Sequence, residues 1–405
     1  MRTVYGGGRV FDGTGSAPAP ADVVVEDGRF VEVGTDLDGD ERVDCSGTTL
    51  LPGLFDCHVH VMFSGVDVLR MVQTPFSYPF YEAIHNLRVT LEQGITTVRD
   101  AGGADLGVAT AVRNGLVAGP RMQISLNMLS QTGGHGDAWM PCGAELALLA
   151  DHPGRPRTIV DGPDEMRRKV RELIRNGADV IKVATSGGVL SPRSDPRRGQ
   201  FRDAEIAVLV EEATAAGRFV MAHAQATEGI KVAIRNGVRS IEHGIYLDDE
   251  AIDMMLTAGT WLVPTLVAPR MVLDLVDLGA ALPQHMIDKA RMVIDDHTAS
   301  ITRAITAGVP VAMGTDSGVG AHGQNLRELG LMVECGMSPA QAWHATSLSA
   351  ARLLGVDEEF GSIEAGKRAD LVVFDADAMD LEGITGRVRQ VYADGRLVAE
   401  PAGAE

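Results

Sequence analysis

Leu54-Phe55-Asp56-Cys57-His58-Val59-His60 is the stretch on which the reading of the fold turns. It follows the turn Leu51-Pro52-Gly53 and reads as a short, buried β-strand. Alternate side chains of a strand share a face, so His58 and His60 point one way and Cys57 and Val59 the other. Two imidazoles on one rigid element can hold a metal ion, provided the chain delivers further ligands to the same point. Two histidines that merely sit in a strand are the plain alternative.

Outward from that strand a phrase recurs: a helical stretch ends in Gly, and an apolar strand begins within a few residues. Gly94 precedes Ile95-Thr96-Thr97-Val98, Gly119 precedes Met122-Gln123-Ile124, and Gly177 precedes Val180-Ile181-Lys182-Val183. Gly217 leads into Phe219-Val220-Met221-Ala222-His223, Gly237 into Ser240-Ile241-Glu242-His243, and Gly259 into Trp261-Leu262-Val263. Gly308 stands before Val311-Ala312-Met313-Gly314-Thr315-Asp316. Gly there closes a helix ahead of a short return loop. Eight strands alternating with helices predict an α/β fold, a (β/α)8 TIM-like barrel. The strand-to-helix links near 61–79, 130–162, 185–202 and 267–283 are long, and in such a barrel they share the C-terminal face with the chemistry.

The two chain ends read differently. Arg2-Thr3-Val4-Tyr5, Ala21-Asp22-Val23-Val24-Val25 and Arg29-Phe30-Val31-Glu32-Val33 are short β-rich runs, with hairpin-type turns at Asp12-Gly13 and Asp27-Gly28. Ala369-Asp370-Leu371-Val372-Val373-Phe374, Val388-Arg389-Gln390-Val391-Tyr392 and Asp394-Gly395 look alike. Each segment is too short to bury its own face, so the two ends are expected to form one small β-sandwich. The expected boundaries are 1–55 and 353–405 for the sandwich and 56–352 for the barrel.

The 405 residues, 45% hydrophobic and 22% charged, suit a barrel of about 250 residues with a smaller companion. A net charge of −19 repels phosphates and anionic lipid, which argues against nucleic acid and membrane partners. It permits cationic substrates. Cys45, Cys57, Cys142 and Cys335 are scattered without a Cys-x-x-Cys pair, as in a reducing cytoplasm. Neither a signal peptide nor a run of about 20 apolar residues is visible.

The polar residues at the strand ends deserve weighing together. They are His58 and His60 on the first strand, Lys182 on the fourth, His223 on the fifth, His243 on the sixth and Asp316 on the eighth. Singly, each has a dull explanation: a core histidine, a turn residue, a helix cap. Lys182 is the hardest to dismiss, because lysine is rarely buried without a partner. It either snorkels to the rim or carries a lowered pKa that frees its amine to react with CO2. The carbamate so formed is an anion able to bridge two cations.

At this point the chain resembles the amidohydrolase superfamily. The likeness rests on residues 51–60, the strand-four lysine, Ala222-His223, Ile241-Glu242-His243-Gly244 and Gly314-Thr315-Asp316-Ser317. Thr132-Gly133-Gly134-His135-Gly136-Asp137, Ser186-Gly187-Gly188-Val189-Leu190-Ser191-Pro192 and Ser240-Ile241-Glu242-His243-Gly244 resemble its prolidase-like branch of metal-dependent dipeptidases. The tail 361–371 resembles the return into that superfamily's sandwich. The resemblance implies that His58, His60 and Asp316 bind one divalent metal, His223 and His243 a second, and carbamylated Lys182 bridges them. Zinc suits this donor set best, with manganese, cobalt or iron as alternatives. A bridging hydroxide would attack the carbonyl, and Asp316 would carry its proton to the leaving amine. His135 would stabilise the oxyanion or serve as a structural loop histidine.

By the same resemblance, the implied activity is cleavage of the amide bond of a dipeptide or N-acyl amino acid, of Xaa-Arg/Lys or Xaa-Pro type. Hydrolysis of a non-peptide amide, urea or carbamate on the same centre is the rival, and a non-catalytic scaffold the distant third. Ring deaminases of the superfamily use a Glu three residues after the strand-five histidine; here that position is Ala226. In the loops, Tyr246 and Arg193 are expected at a substrate carboxylate, or else as a packed aromatic and a solvated basic loop. His322 lines the pocket or merely precedes a helix, and Arg99-Asp100 reads as an ion pair supporting the rim. The partner is a small-molecule substrate; self-association stays open.

Overall fold

The computed structural model describes residues 1–401 except 141 and 281, with the backbone alone at 68 and 69. It is an α/β fold with two parallel sheets. Leu54–Val59 pairs with Ile95–Asp100, which pairs with Arg121–Ile124. Met128–Leu129, Val180–Ala184, Phe219–Ala224, Ser240–His243 and Trp261–Val263 form a second sheet in chain order. Helices alternate with these strands and lay one stripe against them, as Met166, Val170 and Leu173 do from Pro163–Arg175. Every residue of Val180–Ala184 is buried, the mark of a parallel strand covered on both faces.

Two of the eight expected strands take a different form. The third is split, because Leu126 adopts a left-handed φ of 67° between Arg121–Ile124 and Met128–Leu129. The pieces pair with different sheets. The eighth is no regular strand: residues 311–317 join by isolated parallel bridges, Val311 to Leu262 and Ser317 to Val59. Pro310 has no N–H to give a ladder, and Asp316 leaves the extended region with φ 61°. The link expected at 267–283 is largely helical, over Val267–Asp277. Glu328 accepts the backbone N–H groups of Leu266 and Val267 and so closes that helix start, with Pro269 tolerated in its first turn. The short helix Val68–Gln73 interrupts 61–79.

At the chain ends, Thr48–Pro52 pairs antiparallel with Leu371–Asp375, so both termini share a six-stranded sheet. A four-stranded sheet of Arg29–Gly34, Asp22–Glu26, Arg2–Gly6 and Glu41–Asp44 accompanies it. Tyr5, Val23, Phe30, Leu50, Val373 and Tyr392 form one buried cluster from strands of both. Asp27-Gly28 and Asp394-Gly395 both have two positive φ angles, as tight hairpins require. Asp12-Gly13 instead lies in the longer loop between Arg9–Val10 and Ala19–Pro20. Thr48–Pro52 runs through Gly53 directly into Leu54–Val59, which ties this region to the strand that carries the histidines. Among the described residues, no helix is long and apolar enough to cross a membrane.

Candidate metal centre

Alternation along Leu54–Val59 sends Cys57 into an apolar cluster with Phe55, Val263 and Ala312, and turns His58 to the opposite side. There His58 Nε2 lies 3.2 Å from Lys182 Nζ and 3.4 Å from Asp316 Oδ1. His60 Nε2 is 3.2 Å from the same carboxylate oxygen. His58, His60 and Asp316 offer three donor atoms within 4.8 Å of one another, a fit for a divalent cation. The His223 and His243 rings stand 4.6 Å apart, and His243 is 5.1 Å from His58. All six residues line one cavity of about 450 Å³.

Each imidazole has one nitrogen occupied. His58 Nδ1 donates to Glu242 Oε2 at 2.7 Å, His60 Nδ1 to the Gly102 carbonyl at 2.6 Å, and His223 Nε2 to the Gly187 carbonyl at 3.0 Å. His243 Nδ1 sits 2.6 Å from Thr265 Oγ1. The carboxylate and the two carbonyls place the proton on the bonded nitrogen of His58, His60 and His223 and leave the other nitrogen's lone pair for a metal. Burial, then the charge of Lys182, lowers His58 to about 4. Burial with neighbouring imidazoles takes His223 well below its ordinary value, and burial does the same to His243. His60 moves up, because Asp316 and the Gly102 carbonyl outweigh its burial. Against the pull of burial, His58, His60 and His243 keep the Asp316 carboxyl well below the usual carboxylate range.

Strict alternation would set neighbours Glu242 and His243 on opposite faces. The chain escapes this by giving His243 a left-handed φ of 72°, and Asp316 one of 61°. Such conformations cost on the order of 1–3 kcal/mol each and persist where surroundings enforce them. Asp56 enforces the second: its carboxylate accepts Thr315 N, Thr315 Oγ1 at 2.6 Å and Asn325 Nδ2 at 2.8 Å. Asp316 N also donates to the His58 carbonyl at 2.7 Å. Gly314 permits the approach, since a Cβ there would lie 2.9 Å from His58 Cβ. His297 Nε2 reaches the His243 and Pro264 carbonyls, both at 2.9 Å, and steadies the other turn.

Lys182 is 2% exposed, so it does not snorkel to the rim. Burial brings its ammonium down to about 8. His135 stacks on His223 with centroids 4.2 Å apart, and burial lowers it to about 4. Its Nδ1 lies 3.1 Å from Ser191 Oγ. A Cβ on Gly188 would stand 2.7 Å from that Nδ1 and 2.8 Å from Nε2. Gly188→Ala is therefore expected to displace the His135 ring and lower kcat about 100-fold, while the thermal unfolding midpoint stays near that of the parent. Steady-state kinetics beside a melting curve checks both halves.

The loop residues expected at the substrate are not among the described residues that line this cavity. Arg193 is exposed, its guanidinium 4.4 Å from the Trp139 ring centroid and bonded to the Trp139 carbonyl. Tyr246 packs against the buried cluster to which Val66, Val189 and Ile245 belong, and neighbouring Ile245 takes the cavity wall. His322 Nε2 is tied to the carbonyl of the cavity-lining Phe63 at 3.0 Å. Arg99 and Asp100 are not paired with each other, because successive strand residues face apart. Arg99 joins Glu242 at 3.0 Å, and Asp100 accepts the N–H groups of Val61, Gly102 and Ala104. Sequence reasoning gave no role to Glu242, Asp56 or His297. Acidic residues inside buried strands, at 56 and 242, were the available signal.

This geometry meets a consistent set of likenesses. The Amidohydrolase family pattern matches residues 49–398. Ochratoxinase of Aspergillus niger is 34% identical over 401 residues, 93% of this chain and 82% of that protein. A Xaa-Pro dipeptidase with bound methionine in the active site superposes at TM-score 0.89 with 31% identity, over 99% of this chain and 100% of that one. A prolidase complexed with N-methylphosphonate-L-proline does so at 0.89 with 34%, over the same shares. The chain belongs to the amidohydrolase family, on its prolidase-like side, and is a hydrolase of carbon–nitrogen amide bonds.

Proposed function

We propose that the enzyme cleaves the amide bond of a dipeptide or N-acyl amino acid, with Xaa-Pro and other apolar C-terminal residues favoured over Xaa-Arg or Xaa-Lys. The observation that carries this reading is the convergence of six donor-type side chains on one largely apolar cavity, its walls set by Phe63, Leu149, Val189, Val272 and Met286. His58, His60 and Asp316 would hold one divalent ion, His223 and His243 a second, and Lys182 both, zinc being the best match to these donors. A metal pair so held supplies Lewis-acid polarisation of the carbonyl and lowers the pKa of water. Lys182 joins by forming an N–C bond from Nζ to CO2 with loss of a proton; burial, which lowers the ammonium to about 8 and so raises the share of neutral amine, favours that step. Asp316, held ionised, takes the proton of the attacking water and delivers it to the leaving amine nitrogen. His135 donates a hydrogen bond to the oxygen on which charge develops.

The same proposal includes a closed (β/α)8 barrel over 56–352, supported by the bridges that set residues 311–317 between Trp261–Val263 and Leu54–Val59. Segments 1–55 and 353–405 would form a β-sandwich around the shared cluster of Tyr5, Phe30 and Leu50. Four free cysteines suit a reducing cytoplasm, and the exposed Tyr78, Tyr81 and Ile84 on one helix suit self-association. Assaying Xaa-Pro, Xaa-Met and Xaa-Arg dipeptides beside phenylurea and thiocarbamate esters, with zinc and bicarbonate supplied, tests the substrate class. Turnover of the first two dipeptide sets at least about tenfold above the rest is expected. Turnover confined to the ureas or carbamates would replace this reading with its rival.

A further inference from the structure

One buried cation on the cavity wall forms no ion pair among the described residues. Arg155 lines the cavity and is 5% exposed, yet among the described residues no carboxylate forms an ion pair with it. Its side chain gives a hydrogen bond to the Ala150 carbonyl alone among those residues, from a guanidinium that carries five N–H donors. The neighbouring cations are spent. Arg157 grips both oxygens of Glu145 at 2.6 and 2.8 Å, Lys289 donates to the carbonyls of Gly188, Ser191 and Ser194, and Arg193 lies over Trp139. Asp151, Asp100 and Asp105 reach Arg155 through their field without an ion pair: Asp151 is exposed, Asp100 accepts three backbone N–H groups, and Asp105 accepts that of Val108.

Arg155 is also held in place. Its N–H donates to the His152 carbonyl at 2.8 Å and its carbonyl accepts from His152, closing a tight turn. The strap that follows is fastened to the end of the split third strand: Asn127 Nδ2 bonds the Pro156 carbonyl at 3.1 Å, and Thr158 Oγ1 the Met128 carbonyl at 2.6 Å. Asn127, Met128 and Gly102, the last of which carries His60, share the cavity wall with Arg155. A buried guanidinium without a counter-ion is costly, and a planar anion repairs that cost through a two-pronged hydrogen bond.

We propose that Arg155 binds the carboxylate of the amino-acid half of the substrate, which makes a free carboxylate next to the leaving nitrogen a requirement of this enzyme. The inference rests on reading the site as an amide hydrolase and adds what the metal residues cannot choose, the group flanking the scissile bond. It separates N-acyl amino acids from plain amides and ureas, which have no such anion.

The test uses the metal-loaded enzyme with N-acetyl-L-phenylalanine and N-acetylphenethylamine, which differ by one carboxylate. The parent should favour the first by about 100-fold in kcat/KM, mostly through KM, the size expected of a buried charged hydrogen bond. In Arg155→Met that ratio should fall below about threefold, and Arg155→Lys should restore part of it. Calorimetry with L-phenylalanine and phenethylamine reads the same preference without chemistry, so it stands even if neither amide is hydrolysed; that pattern would sink the N-acyl amino acid reading and keep the clamp. Equal kcat/KM for the two amides in the parent, or an unchanged ratio in Arg155→Met, overturns the proposal. If Arg155→Met does not fold, the parent ratio and Arg155→Lys decide.

Discussion

Replacing Lys182 with alanine should lower kcat/KM about 10⁴-fold and leave the purified protein with fewer bound metal ions than the parent. The side chain is buried at the meeting point of the cluster, its Nζ 3.2 Å from His58 Nε2. Among the described residues lining the cavity Lys182 is the only lysine, so alanine removes the amine proposed to become the bridging anion, while the strand Val180–Ala184 keeps its ladder to Phe219–Ala224. The loss should therefore appear in metal content and rate, with the unfolding transition little changed. The pH sense follows from burial, which lowers the ammonium to about 8. Below that value the neutral, CO2-reactive amine is the minority form and grows about tenfold per pH unit. Reactivation of metal-free parent enzyme by zinc and bicarbonate should thus speed about tenfold from pH 6 to 7 and level off above about 8. A Lys182→Ala protein with full activity would mean the carbamate plays no part.

Asp316→Asn is expected to cut kcat about 10³- to 10⁴-fold with a smaller change in KM. The carboxylate lies 3.4 Å from His58 Nε2 and 3.2 Å from His60 Nε2, and those imidazoles with His243 keep it ionised. An amide fills the same volume but accepts no proton. Asparagine also tolerates the left-handed backbone of this position, whereas alanine would add about 1–2 kcal/mol of strain. A clean loss of rate in Asp316→Asn, with a larger loss of stability in Asp316→Ala, separates proton transfer from backbone strain. An unaltered kcat in the asparagine variant would remove Asp316 from the chemistry.

The site was legible where local chemistry fixes placement. A Gly-closed helix followed by an apolar run puts each strand end on one rim, so His58, His60, Lys182, His223, His243 and Asp316 could be gathered without coordinates. What could not be read depends on register and loop path. Glu242 meets His58, and Arg99 meets Glu242, across 184 and 143 residues of chain. Asp56 holds Asn325 across 269. No periodicity in 130–162 announces that Arg155 reaches the cavity, or that Arg193 is drawn away by Trp139. The helix Val267–Asp277 was hidden by Pro269, which breaks a helix interior but not its first turn.

The central claim is that six side chains from five strand ends grip a pair of cations through a modified lysine. Crystals grown with zinc and bicarbonate, measured on both sides of the zinc absorption edge, address it directly. Two anomalous peaks should appear, one against His58, His60 and Asp316 and one against His223 and His243, joined by density for a carboxyl group on Lys182 Nζ. A bare Lys182 with no ion between it and the imidazoles would contradict the account.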